Sequence, residues 1–154
     1  MVAKTKHFGE VDIEEEKILD FPSGIIGFPE LRKFAIIYDL KKGYESGVSW
    51  LQSMEEPLLA FPVVEPLSIM PQYNPMIEDE LLKPLNSPSD DELLVFLTLT
   101  VPADLTKMTA NMKAPFIINM SVRKGAQIIV DNQDYPVKFN VYESIQRMKE
   151  KAGE

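Results

Sequence analysis

Twelve prolines against seven glycines cut this 154-residue chain into short apolar runs, and that punctuation excludes long helices. A proline inside a helix removes a hydrogen bond and clashes with the preceding turn. The runs it leaves are rich in Val, Ile and Phe, which suit a pleated, half-buried surface. The chain is therefore expected to be built from many short strands joined by turns.

The first strand is read over Phe8 to Ile13, with Val11 and Ile13 on one face. Glu14, Glu15 and Glu16 form a polar hairpin tip, and Lys17 to Phe21 returns as its partner. Pro22 to Phe28 turns the chain, and Pro29 to Arg32 makes one helical turn with proline at its first position. Further strands are read over 34–38, 48–53 and 58–64, the last carrying Pro62 and hence placed at an edge or a bulge. Tyr73 to Ile77 reads as a short extended piece, and Glu78 to Leu82 as a short helix stopped by Pro84. Leu93 to Val101 is the longest clean strand, with Leu97, Leu99 and Val101 on one face. Asp104 to Met108 reads as a helical turn, and strands follow over 115–119 and 126–130. Asp131 to Asp134 closes a hairpin toward Tyr135 to Val141.

Many short strands at near-regular spacing describe an all-β barrel or sandwich. Its core is expected to hold Phe21, Phe34, Ile36, Trp50, Phe61, Val63, Leu97, Leu99, Ile117 and Ile129. Residues 1–140 read as one β domain. Val141, Ile145 and Met148 then recur at helical spacing, so residues 141–154 read as a short helical or frayed tail.

The net charge is -8 and the sequence pI is near 4.7. Neutralising phosphates needs clustered Lys and Arg, so direct nucleic-acid binding is not expected. An acidic surface favours basic partners instead. There are no cysteines, which removes disulfides, thiolate catalysis and sulfur-bound metals. No stretch is apolar enough for a membrane span, and the first residues lack the apolar core of a signal peptide. These features together point to the cytoplasm.

No catalytic constellation is found. His7 is the one histidine, and no Gly-x-Ser-x-Gly elbow or glycine-rich phosphate loop accompanies it. The acidic pairs all stand in polar turn context, where solvated faces are the rule. No catalytic residue, metal or cofactor is expected. Three stretches stand out as candidate partner surfaces. Met70 to Met76 is apolar yet broken by prolines, which directs Met70, Tyr73 and Asn74 outward as contact residues. The acidic turns Glu78, Asp79, Glu80 and Asp90, Asp91 supply an acidic field. Thr109, Asn111 and Lys113 form a polar run set against a proline-started apolar strand. They either contact partners or satisfy buried backbone groups.

Six segments, in order, resemble one family. Phe21-Pro22, Gly24-Ile25 and Gly27-Phe28 resemble the F-P-x-G-I-x-G-F signature of the flagellar assembly factor FliW family. Trp50 to Ser53, Leu59 to Val64, Thr100 to Pro102, Lys107 to Asn119 and the stretch from Gly125 to Pro136 are similar to its later segments. The resemblance implies a compact antiparallel pseudo-barrel with a few short helices. It implies two protein partners, flagellin and the translational regulator CsrA, an RNA-binding dimer that family members antagonise. It thereby implies relief of repression of flagellin mRNA by protein–protein binding, from a monomer touching neither nucleic acid nor membrane. Two other readings stay open: a flagellin-specific chaperone without a regulatory role, and a small carboxylate-dependent hydrolase.

Overall fold

The computed structural model describes residues 2–5, 8–38, 48–86, 93–144 and 146–147. His7, Asp90, Asp91, Ile145 and Met148, singled out above, lie outside the described residues. The described residues form a mainly β structure with a few short helices. The strands are β1 (Val2–Thr5), β2 (Gly9–Asp12), β3 (Leu19–Asp20), β4 (Lys33–Tyr38), β5 (Val48–Ser53) and β6 (Ala60–Val64). They continue as β7 (Leu93–Thr100), β8 (Thr109–Ala110), β9 (Phe116–Asn119), β10 (Lys124–Gln127) and β11 (Phe139–Asn140).

Seven of these strands close on themselves. The hydrogen-bonded order β7-β6-β5-β4-β3-β10-β9 returns to its start because β9 also pairs with β7. All but one of these contacts are antiparallel, the exception being the parallel pair β3–β10. Strands β8 and β11 extend the sheet outward from β7. Closing a ring of strands removes the exposed edges that an open sheet presents.

The ring is filled from nearly every strand in it. Leu19, Phe34, Leu51, Val63, Phe96, Phe116 and Ile118 form one cluster with Phe21 and Ile25. Phe21 lies at its centre, edge-on to Phe34 at 5.2 Å and to Phe116 at 6.0 Å. A second cluster joins the opposite faces of β6 and β7 to Tyr73, Met112, Tyr135 and Val141. Both faces of β9 are therefore covered: Phe116 and Ile118 face the ring, and Ile117 packs with Leu85 and Ile128 outside it. A strand buried on both sides reads as a continuous apolar run, which is why Phe116 to Ile118 shows no alternation.

Two sequence motifs explain themselves as turns. Gly24 has a φ of +67°, and a Cβ there would come within 2.5 Å of the Pro29 backbone. Gln52 is buried and its Nε2 donates to the carbonyls of Ser53, Pro57 and Leu59, while the Ser53 hydroxyl accepts from the Glu55 and Glu56 amides. The Trp50 to Ser53 stretch thus ties the β5–β6 turn from inside. Pro62 falls where β6 pairs with β5 but not with β7, so its missing N–H breaks no ladder on that side.

Several expectations are corrected. Glu14 to Glu16 is not a hairpin tip: residues 15–17 form a 3-10 turn, and β2 pairs with β1 in a separate two-stranded sheet. That sheet covers Ala35 and Ile37 on the outside of the ring. The strand β1 was missed because its alternation is short and interrupted by lysine. Pro29 to Arg32 makes no helical turn. Pro84 does not stop a helix but lies inside the 3-10 segment Asp79–Leu85, which ends at Asn86 in the left-handed region. The turn hydrogen bonds at its two ends, from the Leu81 amide to the Glu78 carbonyl and from the Asn86 amide to the Lys83 carbonyl, need no N–H from Pro84. Asp131 to Asp134 joins no hairpin, since β11 pairs with β8. Ile129 is 59% exposed while Ile128 and Val130 are buried, so the phase of that segment was one residue out. Trp50, Ile36 and Phe61 are half-buried. Trp50 faces outward, edge-on to Phe8 at 6.4 Å. Val101 is exposed because β7 ends at Thr100.

Candidate functional site

The structure brings two of the sequence-predicted stretches together through a residue the sequence reading passed over. Asn132 accepts a hydrogen bond from the Met76 amide through Oδ1 at 2.6 Å and donates to the Asn74 carbonyl through Nδ2 at 3.0 Å. Its own carbonyl accepts from Lys113 Nζ at 2.7 Å. The Asp131 amide donates to the Met76 carbonyl, and the Val130 amide to the Lys113 carbonyl. One asparagine therefore pins the proline-broken 70–76 segment to the 109–113 segment.

Within this junction the predicted residues take different roles. Asn111 Oδ1 accepts from the amides of Lys113 and Ala114, an Asx turn that bends the chain into β9. Lys113 spends its ammonium on the Asn132 carbonyl. Thr109 sits in β8, paired on one side with Thr100 and on the other with Asn140. Of the two readings left open for this run, satisfaction of backbone groups is the one Asn111 and Lys113 visibly perform. Tyr73 does not face outward as expected. Its ring is buried and stacked on Tyr135 at 4.9 Å, and its hydroxyl donates to the Met112 carbonyl at 3.0 Å. Burial, and secondarily the Tyr135 hydroxyl, push the Tyr73 ionisation well above its ordinary value, so it stays a donor. The Tyr135 hydroxyl accepts from the Asn74 amide at 2.8 Å. Prolines at 71 and 75 leave this segment without a ladder of its own, and the Tyr135 hydroxyl gives the Asn74 amide a partner.

What remains outward is acidic with one large apolar group. Met70 is half-buried against the second cluster. Asn74 and Met76 are exposed, Met76 by 59%. Glu78, Asp79 and Glu80 are exposed at the start of the 3-10 segment, and Glu80 meets Lys83 at 4.0 Å. Asp131 and Asp134 are exposed beside Asn132. The sequence offers Asp131 to Asp134 as the close of a hairpin, which gives Asp131, Asn132 and Tyr135 no role at this junction. An asparagine in a polar run carries no sequence signal of partners 56 and 58 residues away. Among the described residues no group of three or more His, Asp or Glu is placed to hold a metal, and no helix is long and apolar enough to cross a membrane.

The arrangement is a hydrogen-bonded acidic surface on a small β ring, and its fold is that of a flagellar assembly factor. A crystal structure of the flagellar assembly factor FliW overlays on it with a TM-score of 0.84 at 32% identity, covering 92% of this chain and 96% of that one. The model of the FliW protein family matches residues 2–141. The flagellar assembly factor FliW of Lachnoclostridium phytofermentans is 51% identical over 155 residues, spanning all of this chain and 99% of that protein. That of Lachnospira eligens is 43% identical over 96% of this chain. The chain belongs to the FliW family.

Proposed function

We propose that the protein is a flagellar assembly regulator that works in the cytoplasm by binding other proteins. In this reading it binds flagellin, and it binds and antagonises CsrA, so that repression of flagellin mRNA is relieved. It does so as a monomer, without a cofactor, a catalytic step or contact with RNA. The observation that carries the reading is the family match, which runs from residue 2 to residue 141 rather than over one motif. The geometry supports it. Fixed acidic groups around Met76 suit a basic protein partner, and the net charge of -8 opposes phosphate contacts.

The reading is tested with purified components. The protein alone is expected to leave flagellin leader RNA unshifted in a gel. Added to a preformed CsrA–RNA complex, it is expected to release the RNA, and excess flagellin is expected to restore the complex. Binding of flagellin without any release of RNA would instead establish a chaperone. Direct binding of the RNA would overturn the proposal.

A further inference from the structure

A groove separates the helical turn Pro66–Ile69 from the start of β7. Pro66, Tyr73, Pro75, Leu93 and Val95 line it, and its volume is about 270 Å³. That is just under the roughly 300 Å³ at which small-ligand pockets begin, and it suits one large side chain better than a whole ligand. Leu67 lines it too. Pro66 and Ile69 are the buried positions of the turn, so Leu67 between them faces outward and is 61% exposed.

The groove is held in shape and carries one sign of charge. Asn132 bonds to the Asn74 carbonyl and to the Met76 amide, on either side of Pro75. The Tyr73 hydroxyl is committed to the Met112 carbonyl, so the tyrosine offers the groove its ring. Glu65 is the charged residue of the lining, and it is exposed. It forms no ion pair among the described residues, and its side chain caps no amide of the turn that follows it. Ile77 packs with Leu93 and Val95 against one cluster, which sets Glu78, Asp79 and Glu80 next to this part of β7. Four carboxylates thus flank the groove, and the 3-10 segment answers them with Lys83 alone.

Size and charge together select an occupant. A second copy of this chain would bring a net charge of -8 against these carboxylates, and a nucleic acid would bring phosphates. A small apolar ligand would fill the groove and leave Leu67 uncovered and Glu65 unpaired. A polypeptide segment with a large aliphatic side chain beside a lysine or arginine meets all of these features. We propose that the groove is the docking point for a basic segment of a partner protein. Its aliphatic side chain enters between Pro66, Pro75 and Val95, its backbone covers Leu67, and its cation meets Glu65. This deepens the reading of the protein as a binder of other proteins, and rests on it.

The test is titration of the full chain with three short peptides, read by backbone amide NMR shifts. The probes are the carboxamides of acetyl-Gly-Lys-Leu-Lys-Gly, acetyl-Gly-Lys-Ser-Lys-Gly and acetyl-Gly-Glu-Leu-Glu-Gly. The first is expected to shift the amides of residues 67–69 and 93–95. It is expected to bind about tenfold more tightly than the second, which lacks the aliphatic side chain, and than the third, which reverses the charge. Leu67→Ser and Glu65→Gln are each expected to weaken its binding severalfold without moving the unfolding midpoint, since both side chains are exposed. Equal binding of the three probes would overturn the proposal. So would shifts confined to another surface, no saturation at millimolar probe, or variants that bind as the parent does. Shifts of the same amides on concentrating the chain alone would assign the groove to a second copy and overturn it too. The gel assay separates this from the wider reading. If Leu67→Ser releases RNA as the unmodified chain does, the groove is overturned and the regulatory reading stands. If the unmodified chain releases none while the first probe binds at the groove, the regulatory reading falls and the groove stands.

Discussion

At the scale of single residues, Gly125 and Phe21 form the tightest dependency in the fold. A Cβ on Gly125 would stand 2.6 Å from the end of the Phe21 ring, which is fully buried against Phe34 and Phe116. Gly125→Ala is expected to cost about 1–3 kcal/mol, the usual cost of forcing an extra methyl into a packed core. Phe21→Ala is expected to cost about 3–5 kcal/mol. Combined with Phe21→Leu, Gly125→Ala is expected to cost less than the sum of the two single changes, because the shorter side chain makes room for the methyl. Urea unfolding of the four chains checks this, and strict additivity would show that the contact does not couple them. Trp50→Ala should destabilise less than Phe21→Ala, since Trp50 is half-exposed on the outside of the ring. Tyr73 offers a pH test. Its hydroxyl is held protonated in the fold, so its folded ionisation lies above that of the unfolded chain, which is near 10. Above about pH 10 the unfolded chain therefore binds fewer protons than the native one, and stability falls with rising pH. Tyr73→Phe is expected to flatten that part of the alkaline decline, read as the difference between the two stability–pH curves.

At the scale of elements, the segments without regular structure are held as firmly as the strands. The 70–76 segment has no ladder, yet Asn132 and Tyr135 satisfy its backbone groups, and the Tyr73 hydroxyl ties the segment to the Met112 carbonyl. Asn132→Ala removes the partner of the Met76 amide and of the Asn74 carbonyl together. It is expected to raise amide exchange at Asn74 and Met76 sharply, while lowering global stability by only about 1–3 kcal/mol. Uniform exchange across the chain would mean that this segment does not open on its own. This also shows what could be read from the sequence. Strands with local signatures were legible: the Val, Ile and Phe runs at β4, β5, β7 and β9 sit where alternation and turn residues placed them, and Pro62 falls at a gap in pairing. Pairing between distant segments was not. Leu19–Asp20 and Val2–Thr5 are too short to show a period; the partners of Leu19–Asp20 follow from ring closure, and Val2–Thr5 pairs with β2 in the separate sheet. Ile129 was misplaced because Gln127 reaches across to the Ala114 carbonyl and the Ile26 amide, ending the strand there. The candidate surface was half legible for the same reason. Its acidic turns and its polar run were visible as composition, but their junction at Asn132 depends on contacts 56 and 58 residues apart.

At the scale of the whole molecule, charge and shape act together. A ring of strands filled by one aromatic cluster is stiff, so exposed groups on its loops keep fixed positions. On such a frame a net charge of -8 produces a persistent field rather than an averaged one. If the proposed binding of CsrA draws on that field, the association rate should fall as salt shortens the screening length from about 30 Å at 0.01 M to about 8 Å at 0.15 M. The dissociation rate should change much less, because it depends on contacts already formed. Charge reversal at the junction, Asp131→Lys with Glu78→Lys, is expected to slow association and reduce its salt dependence, and to leave the unfolding midpoint nearly unchanged since both side chains are exposed. Stopped-flow binding over a salt series, with the same pair of changes made separately at Glu14 and Glu16 as a control for net charge alone, distinguishes a local surface from a general field. A matching loss at both places would assign the effect to total charge. A loss confined to Asp131 and Glu78 would place the contact on the face that Asn132 builds, and a rate indifferent to salt in every chain would remove steering from the account while leaving the binding itself to the gel assay.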